Sequence, residues 1–238
     1  MKDNRYRLNT ALALVAMMAL PLTATAQSGT ELGIDLALAV PQGAFDQNMG
    51  QTGFGLNFHV GHHLGKSPVM IGLDIGAHTY GSERRREPLS MTIPDISARV
   101  ETTNNLAQFH GMIRLQPISG QVRPYVDALY GFKYLWTRTS LMEDYYDEEL
   151  VGSTNQDDFT RSYGVGAGVD FRVWNGPMGE DERPGSVYLT LGARYLLSGE
   201  AEYLREGDIH RDLGTVDFQT TRSRVDIVQP RFGVTVTF

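Results

Sequence analysis

The sequence predicts an all-β protein, an eight-stranded antiparallel up-and-down transmembrane β-barrel, and three observations predict it. The chain opens on an export signal, eight later segments alternate apolar with small or polar residues, and the connections between those segments alternate short and long. A strand sends successive side chains to opposite faces, so each segment has one oily and one polar face.

The amino terminus sets the compartment. Lys2, Arg5 and Arg7 precede an almost wholly apolar run from Leu8 to Leu22, and Thr23-Ala24-Thr25-Ala26-Gln27 follows. A basic start, a short apolar stretch and a small-x-small ending describe a secretory signal peptide over residues 1–26, with cleavage expected after Ala26. The apolar run is shorter than the roughly 20 residues of a spanning helix. The sequence contains 0 cysteines, so lipoprotein processing, disulfides and Cys-based metal sites are excluded. Residues 27–238, read as one barrel domain, hold 18 basic and 27 acidic side chains, net −9. That balance argues against nucleic acid as a partner, because phosphate binding needs a basic patch. No later stretch is long and apolar enough for a membrane helix, so a chain that crosses a membrane must close as a barrel.

The eight segments follow in order. Leu32, Ile34, Leu36, Leu38 and Val40 alternate with Gly33, Asp35, Ala37 and Ala39. Phe54 to Leu64 sets Phe54, Leu56, Phe58 and Val60 against Gly55, Asn57, His59, Gly61 and His63. Val69 to Thr79 places Asp74 and His78 on its second face. The fourth, around Ala107 to Leu115 with a start near Val100, carries Gln108, His110 and Arg114 there. In the fifth, Val126 to Thr137, Asp127 and Lys133 interleave with Tyr130, Phe132, Tyr134 and Trp136. Val165 to Val173 opposes glycines, Asp170 and Arg172, and Val187 to Leu197 opposes Tyr188, Thr190 and Arg194. The seventh can be extended through Glu200 and Glu202 to Tyr203. The eighth, Val225 to Phe238, sets Val228, Pro230, Phe232, Val234 and Val236 against Gln229, Arg231, Gly233, Thr235 and Thr237.

Connections after the second, fourth and sixth segments are 65–68, 117–123 and 175–186, while the others run near 41–52, 81–99, 140–159 and 205–222. Short turns at one end and long loops at the other are expected of a transmembrane barrel. The 175–186 connection, Gly- and Pro-rich, is long for a periplasmic turn. The terminal aromatic Phe238 and this even strand number resemble the small outer-membrane β-barrels of the OmpA and OmpX type. The resemblance covers residues 30–238 and brings no catalytic motif. It implies a bacterial outer-membrane location, outer-membrane lipid and lipopolysaccharide as surroundings, and the barrel-assembly machinery as reader of Phe238.

A soluble lipocalin-like barrel also has eight alternating strands, with the apolar face turned inward around a ligand. The second face here carries Asp35, Asp74, Asp127, Asp170, Arg114, Lys133, Arg172, Arg194 and Arg231 among many glycines, which suits a membrane barrel's polar interior. Aromatics near strand ends fit two interfacial girdles, with Trp136, Tyr163 and Tyr203 at one end and Tyr125, Trp174, Tyr188 and Phe238 at the other.

Eight strands leave an interior about wide enough for side chains to fill. The near balance of inward charges implies a salt-bridged plug, with Arg231 expected to pair with an interior carboxylate. The expected function is structural or adhesive, through loops that meet an extracellular protein or glycan, with no enzymatic role, no cofactor and no metal. Other classes are a small-solute or hydrophobic-compound channel or transporter, the lipocalin-like binder, and a lipid-modifying enzyme. For the last, a turn joining Leu64 to Val69 puts His59 opposite Asp74, with His78 nearer the outer end, but no serine completes a relay. Ser90 and Ser97 are near only in sequence. Arg84-Arg85-Arg86 suits lipopolysaccharide phosphate or plain solvation. The acidic run Glu143 to Glu149, and Asp157-Asp158, lack the spacing of a calcium loop.

Overall fold

A computed structural model describes residues 29–88, 97–142, 149–178, 183–204, 209–212, 215–218 and 220–238. Eight strands close one antiparallel ring: β1 (Thr30–Pro41), β2 (Gly53–His63), β3 (Val69–Pro88), β4 (Ser97–Leu115), β5 (Val122–Met142), β6 (Glu149–Met178), β7 (Arg183–Ser198) and β12 (Ile227–Thr237). Each pairs with its neighbour in sequence, and β1 closes on β12 with Gly29 N donating to Phe238 O at 2.7 Å and Phe238 N to Thr30 O at 3.0 Å. Four short strands stand at the long-loop end: β8 (Glu200–Tyr203) pairs with β11 (Thr221–Arg224), and β9 (Ile209–Asp212) with β10 (Thr215–Phe218).

Register fixes the tilt. From Val40 the cross-strand partners run through Val228, Tyr195, Val165, Ala128, Ile113, Ile71 and His62 to Thr30, ten residues down the same strand (40−30). A stagger of this kind is what closing tilted strands requires, and it leaves the bore only as wide as its side chains.

The apolar face turns outward. Ile34, Leu36, Leu38, Phe54, Leu56, Ile71, Leu73, Ile113, Val126, Val165, Leu189 and Phe232 are exposed, while the alternate residues Asp35, Asn57, Asp74, Arg114, Asp127, Thr190 and Arg231 are buried. This is the reverse of a lipocalin-like barrel. Glycine on the inner face makes room for large side chains: a Cβ on Gly33 would strike the His59 ring, and one on Gly168 or Gly192 would strike the Tyr125 hydroxyl.

Several connections differ from expectation. The stretches 81–99 and 140–159 are largely strand, because β3 to β6 continue past the apolar band as a paired polar ribbon from Ser82↔Thr103 to Pro88↔Ser97, and from Arg99↔Met142 to Met142↔Glu149. These stretches are mostly polar in sequence and lack the alternation that lipid on one face imposes. The 175–186 connection is mostly a hairpin, Asn175↔Ser186 to Met178↔Arg183. The expected single strand from Val225 begins at Ile227, since Asp226 leaves the ladder and its Oδ1 accepts from Ser198 N at 2.7 Å. The seventh strand likewise stops at Ser198 and resumes separately as β8. The acidic positions 143–148 and the side chains of Arg84, Arg85, Arg86, Ser90 and Ser97 lie outside the described residues.

The first long connection holds a helix, α1 (Ala44–Met49). Gly43 at φ 59° and Gly50 at φ 63° bracket it, a left-handed backbone that glycine adopts without strain. This places Phe45 over the barrel mouth, edge-on to Tyr80 (centroids 5.5 Å) and Tyr203 (5.3 Å).

Candidate functional site

The interior is built in tiers. Nearest the short turns, Arg123 on β5 donates from Nη1 to Glu31 Oε1 at 2.7 Å and from Nη2 to Asp170 Oδ2 at 3.0 Å. Its guanidinium lies 3.8 Å over the Tyr188 ring. His63 Nε2 is 3.3 Å from Glu31 Oε1, and Gln116 Nε2 donates to Asp170 Oδ2 at 2.6 Å.

The middle tier gathers three guanidiniums and three carboxylates. Arg114 holds Asp127 with two bonds, Nε to Oδ1 at 2.7 Å and Nη2 to Oδ2 at 3.1 Å. Arg194 bridges Asp74 Oδ2 (2.7 Å) and Asp127 Oδ2 (3.4 Å). Arg231 reaches Asp35 Oδ2 at 3.0 Å, Asp127 Oδ2 at 3.6 Å and the Tyr125 hydroxyl at 2.8 Å. Asn57 Nδ2 donates to Asp74 Oδ1 at 3.2 Å.

Above it no carboxylate takes part in the bonding. Gln229 joins His78 (3.0 Å), Gln108 (3.3 Å) and Asn57 (3.4 Å). Lys133 Nζ donates to Ser198 Oγ and Val225 O, both at 2.8 Å, and has no carboxylate within ion-pair distance among the described residues. The top tier is apolar: Phe45, Tyr80, Leu106, Leu135, Tyr203, Val225 and Ile227 are buried together.

Of the expected interior residues, Asp35, His59, Asp74, His78, Arg114, Asp127, Lys133, Asp170, Arg194 and Arg231 are buried within the barrel. Arg172 is a correction. A register irregularity between Arg172 and Trp174 leaves it at the rim, where Nη2 donates to exposed Gln121 at 3.4 Å, and Asp170 takes Arg123 as its cation instead. His59 lies opposite Asp74 in register, yet its side chain turns to Asp35, with Nδ1 3.5 Å from Oδ2. Three girdle expectations are also corrected: Tyr125, Tyr188 and Tyr203 are buried inside, held by Arg231, Arg123 and the Ser223 hydroxyl. Trp136, Tyr163, Trp174 and Phe238 stay on the outer face or at its end.

Sequence reasoning missed Glu31 and Arg123, which extend the period of two just beyond the ends assigned to their strands. It also missed a serine–histidine contact, His110 Nε2 to Ser162 Oγ at 2.9 Å. Both residues are enclosed, and His110 Nδ1 has no partner among the described residues, so neither an orienting carboxylate nor a route for substrate accompanies the pair. Among those residues no group of three or more His, Asp or Glu is placed to hold a metal.

A closed ring of eight strands, oily outside and charged inside, is a β-barrel that lives in a membrane. The chain belongs to the outer membrane protein beta-barrel domain family, whose model matches residues 10–221, and its location is the bacterial outer membrane. No curated protein matches it. Solved structures similar to it include Neisserial surface protein A, at 18% identity and TM-score 0.44, covering 89% of this chain and 98% of that one. Ail, the attachment invasion locus protein of Yersinia pestis, follows at 13% and 0.33, covering 89% and 97%. A major outer membrane protein from Thermus thermophilus stands at 12% and 0.36, covering 88% and 99%.

Proposed function

We propose that the protein is a plugged outer-membrane stave that anchors in lipid and displays its long connections to an extracellular protein or glycan, without chemistry of its own. The observation that carries the plugged reading is the closed charge account of the bore. Five carboxylates (Glu31, Asp35, Asp74, Asp127, Asp170) are all paired with four guanidiniums (Arg114, Arg123, Arg194, Arg231), Lys133 above them brings the cations to five, and all ten side chains are buried. Ions crossing this interior would have to break pairs whose loss costs about 3–5 kcal/mol each. Planar-bilayer recording from purified protein is expected to give no stable conductance steps; large, long-lived steps would replace this reading with a solute channel.

Display is supported by the polar ribbon of β3 to β6. From Ser82 to Pro88 alone it adds about 20 Å along the strand beyond the apolar band, at about 3.3 Å per residue. Such a sheet extends the barrel wall past the level of neighbouring lipid headgroups. Cells carrying the protein are expected to bind host matrix or glycan surfaces more than cells lacking it, and deletion of 82–101 and 139–155 to remove that gain. Equal binding by both strains would leave an anchoring role alone.

A further inference from the structure

A charged group interrupts the apolar outer surface between Phe159 and Tyr163. Arg161 on β6 is exposed, with Phe159 above it, Tyr163 below it and Phe132 directly across on β5. Its side chain makes no hydrogen bond or ion pair among the described residues, although two carboxylates lie close by in sequence. Asp157 accepts from the Tyr134 hydroxyl at 3.2 Å, while Asp158 takes Phe159 N at 2.7 Å and Glu202 N at 2.8 Å. Both acids are engaged elsewhere, so the guanidinium awaits an anion from outside the chain.

Its height locates that anion. Gly199 N, just past the end of β7, donates to Arg161 O at 3.0 Å, which sets Arg161 level with the outer end of β7. Immediately below, the register puts three tyrosines side by side. Tyr130 on β5 pairs with Tyr163 on β6, and Tyr195 on β7 pairs with Val165, two residues down. They are 66%, 46% and 43% exposed, and none of their hydroxyls has a partner among the described residues. On the opposite wall the outward residues Leu36, Leu38, Leu56 and Ile75 have no side-chain polar atom to offer.

A guanidinium above a row of phenol hydroxyls matches the layering of an acylated phospholipid headgroup: phosphate outermost, ester or amide linkages beneath, hydrocarbon below. The row crosses three strands, about 10 Å at the usual strand spacing. Three hydroxyls along one diagonal row can meet more acyl linkages than the two of a glycerophospholipid. We propose that Arg161, Tyr130, Tyr163 and Tyr195 form a binding site for the phosphorylated, multiply acylated glycolipid of the outer leaflet, the lipid A part of lipopolysaccharide. The site rests on the barrel's outer-membrane placement and is independent of the plugged, displaying role.

Native mass spectrometry of the full barrel in micelles tests it with three added lipids: lipid A, dephosphorylated lipid A and phosphatidylglycerol. Lipid A is expected to bind as a one-to-one adduct about tenfold more tightly than either of the others, the scale of one charge-assisted contact. Arg161→Gln should erase the preference over dephosphorylated lipid A, and Arg161→Lys should keep most of it. The triple change Tyr130→Phe, Tyr163→Phe and Tyr195→Phe should weaken all acylated ligands while keeping the phosphate preference. Heat-modifiable migration in gels checks that each variant is folded, and Arg161→Met, which also removes the charge, stands in if Arg161→Gln is not. Equal binding of dephosphorylated lipid A to the wild type would overturn the site, and equal binding of phosphatidylglycerol would overturn the glycolipid as its occupant.

Discussion

Asp127 shows how one residue can hold a barrel interior together. Arg114 grips it at 2.7 Å, and Arg194 (3.4 Å) and Arg231 (3.6 Å) lean on the same carboxylate. Asp127→Asn keeps the shape but leaves three enclosed guanidiniums short of one charge, so a loss of about 3–5 kcal/mol is expected in urea unfolding from lipid vesicles. The exposed pair Arg222–Glu200, at 3.0 Å, provides the contrast: Glu200→Gln should cost less than about 1 kcal/mol. Equal losses at the two sites would mean that the interior is as hydrated as the surface. The side of the barrel that such residues occupy was legible from the period of two, and partner choice was not. Arg231 meeting a carboxylate could be anticipated from charge balance, whereas the turn of His59 toward Asp35 depends on Gly33 leaving room for the ring. Tyrosine carries an apolar ring and a polar tip, so position near a strand end alone cannot assign it to lipid or interior. Tyr125, Tyr188 and Tyr203 went inward because Arg231, Arg123 and Ser223 meet them there.

At the scale of elements, the strands inside the membrane were readable and those outside it were not. Lipid on one side and side chains on the other force alternation from Leu32 to Val40, but the ribbon over Ser82 to Pro88 has no such pressure. Helix α1 has six residues, too few for a helical period, and only Gly43 and Gly50 mark its ends. Its function as a cap gives a separable prediction. Phe45 is fully buried against Tyr80 and Tyr203, so Phe45→Ala should cost up to about 3–5 kcal/mol locally and speed proteolysis within 42–52. Conductance should stay absent, because the paired tiers beneath are untouched. Conductance appearing in Phe45→Ala would show that the cap, and not the charge network, closes the bore.

For the whole molecule, which face meets lipid decides everything else, and composition alone could not choose it: a lipocalin-like barrel shares the strand count and the alternation. The choice came from Asp35, Asp74, Asp127, Arg114 and Arg194 occupying one face of different strands, since ten enclosed charges can neutralise one another only if they converge. The orientation makes a depth-dependent prediction. Leu36 lies midway along the lipid-facing run from Leu32 to Val40, and Val40 lies at its outer end, next to the chain's exit from the barrel wall. An arginine at the bilayer midplane of a barrel costs about 2–4 kcal/mol, and near the interface about 0–1 kcal/mol. Leu36→Arg should therefore lower the unfolding free energy in vesicles several times more than Val40→Arg, although the two residues share a strand, a face and a side-chain class. A water-facing surface would accept either arginine at nearly the same small cost, so equal effects would place the outer face in water and undo the membrane orientation. A graded loss along Leu32, Ile34, Leu36, Leu38 and Val40, largest at the centre, would measure the thickness of the bilayer the barrel is built to fit.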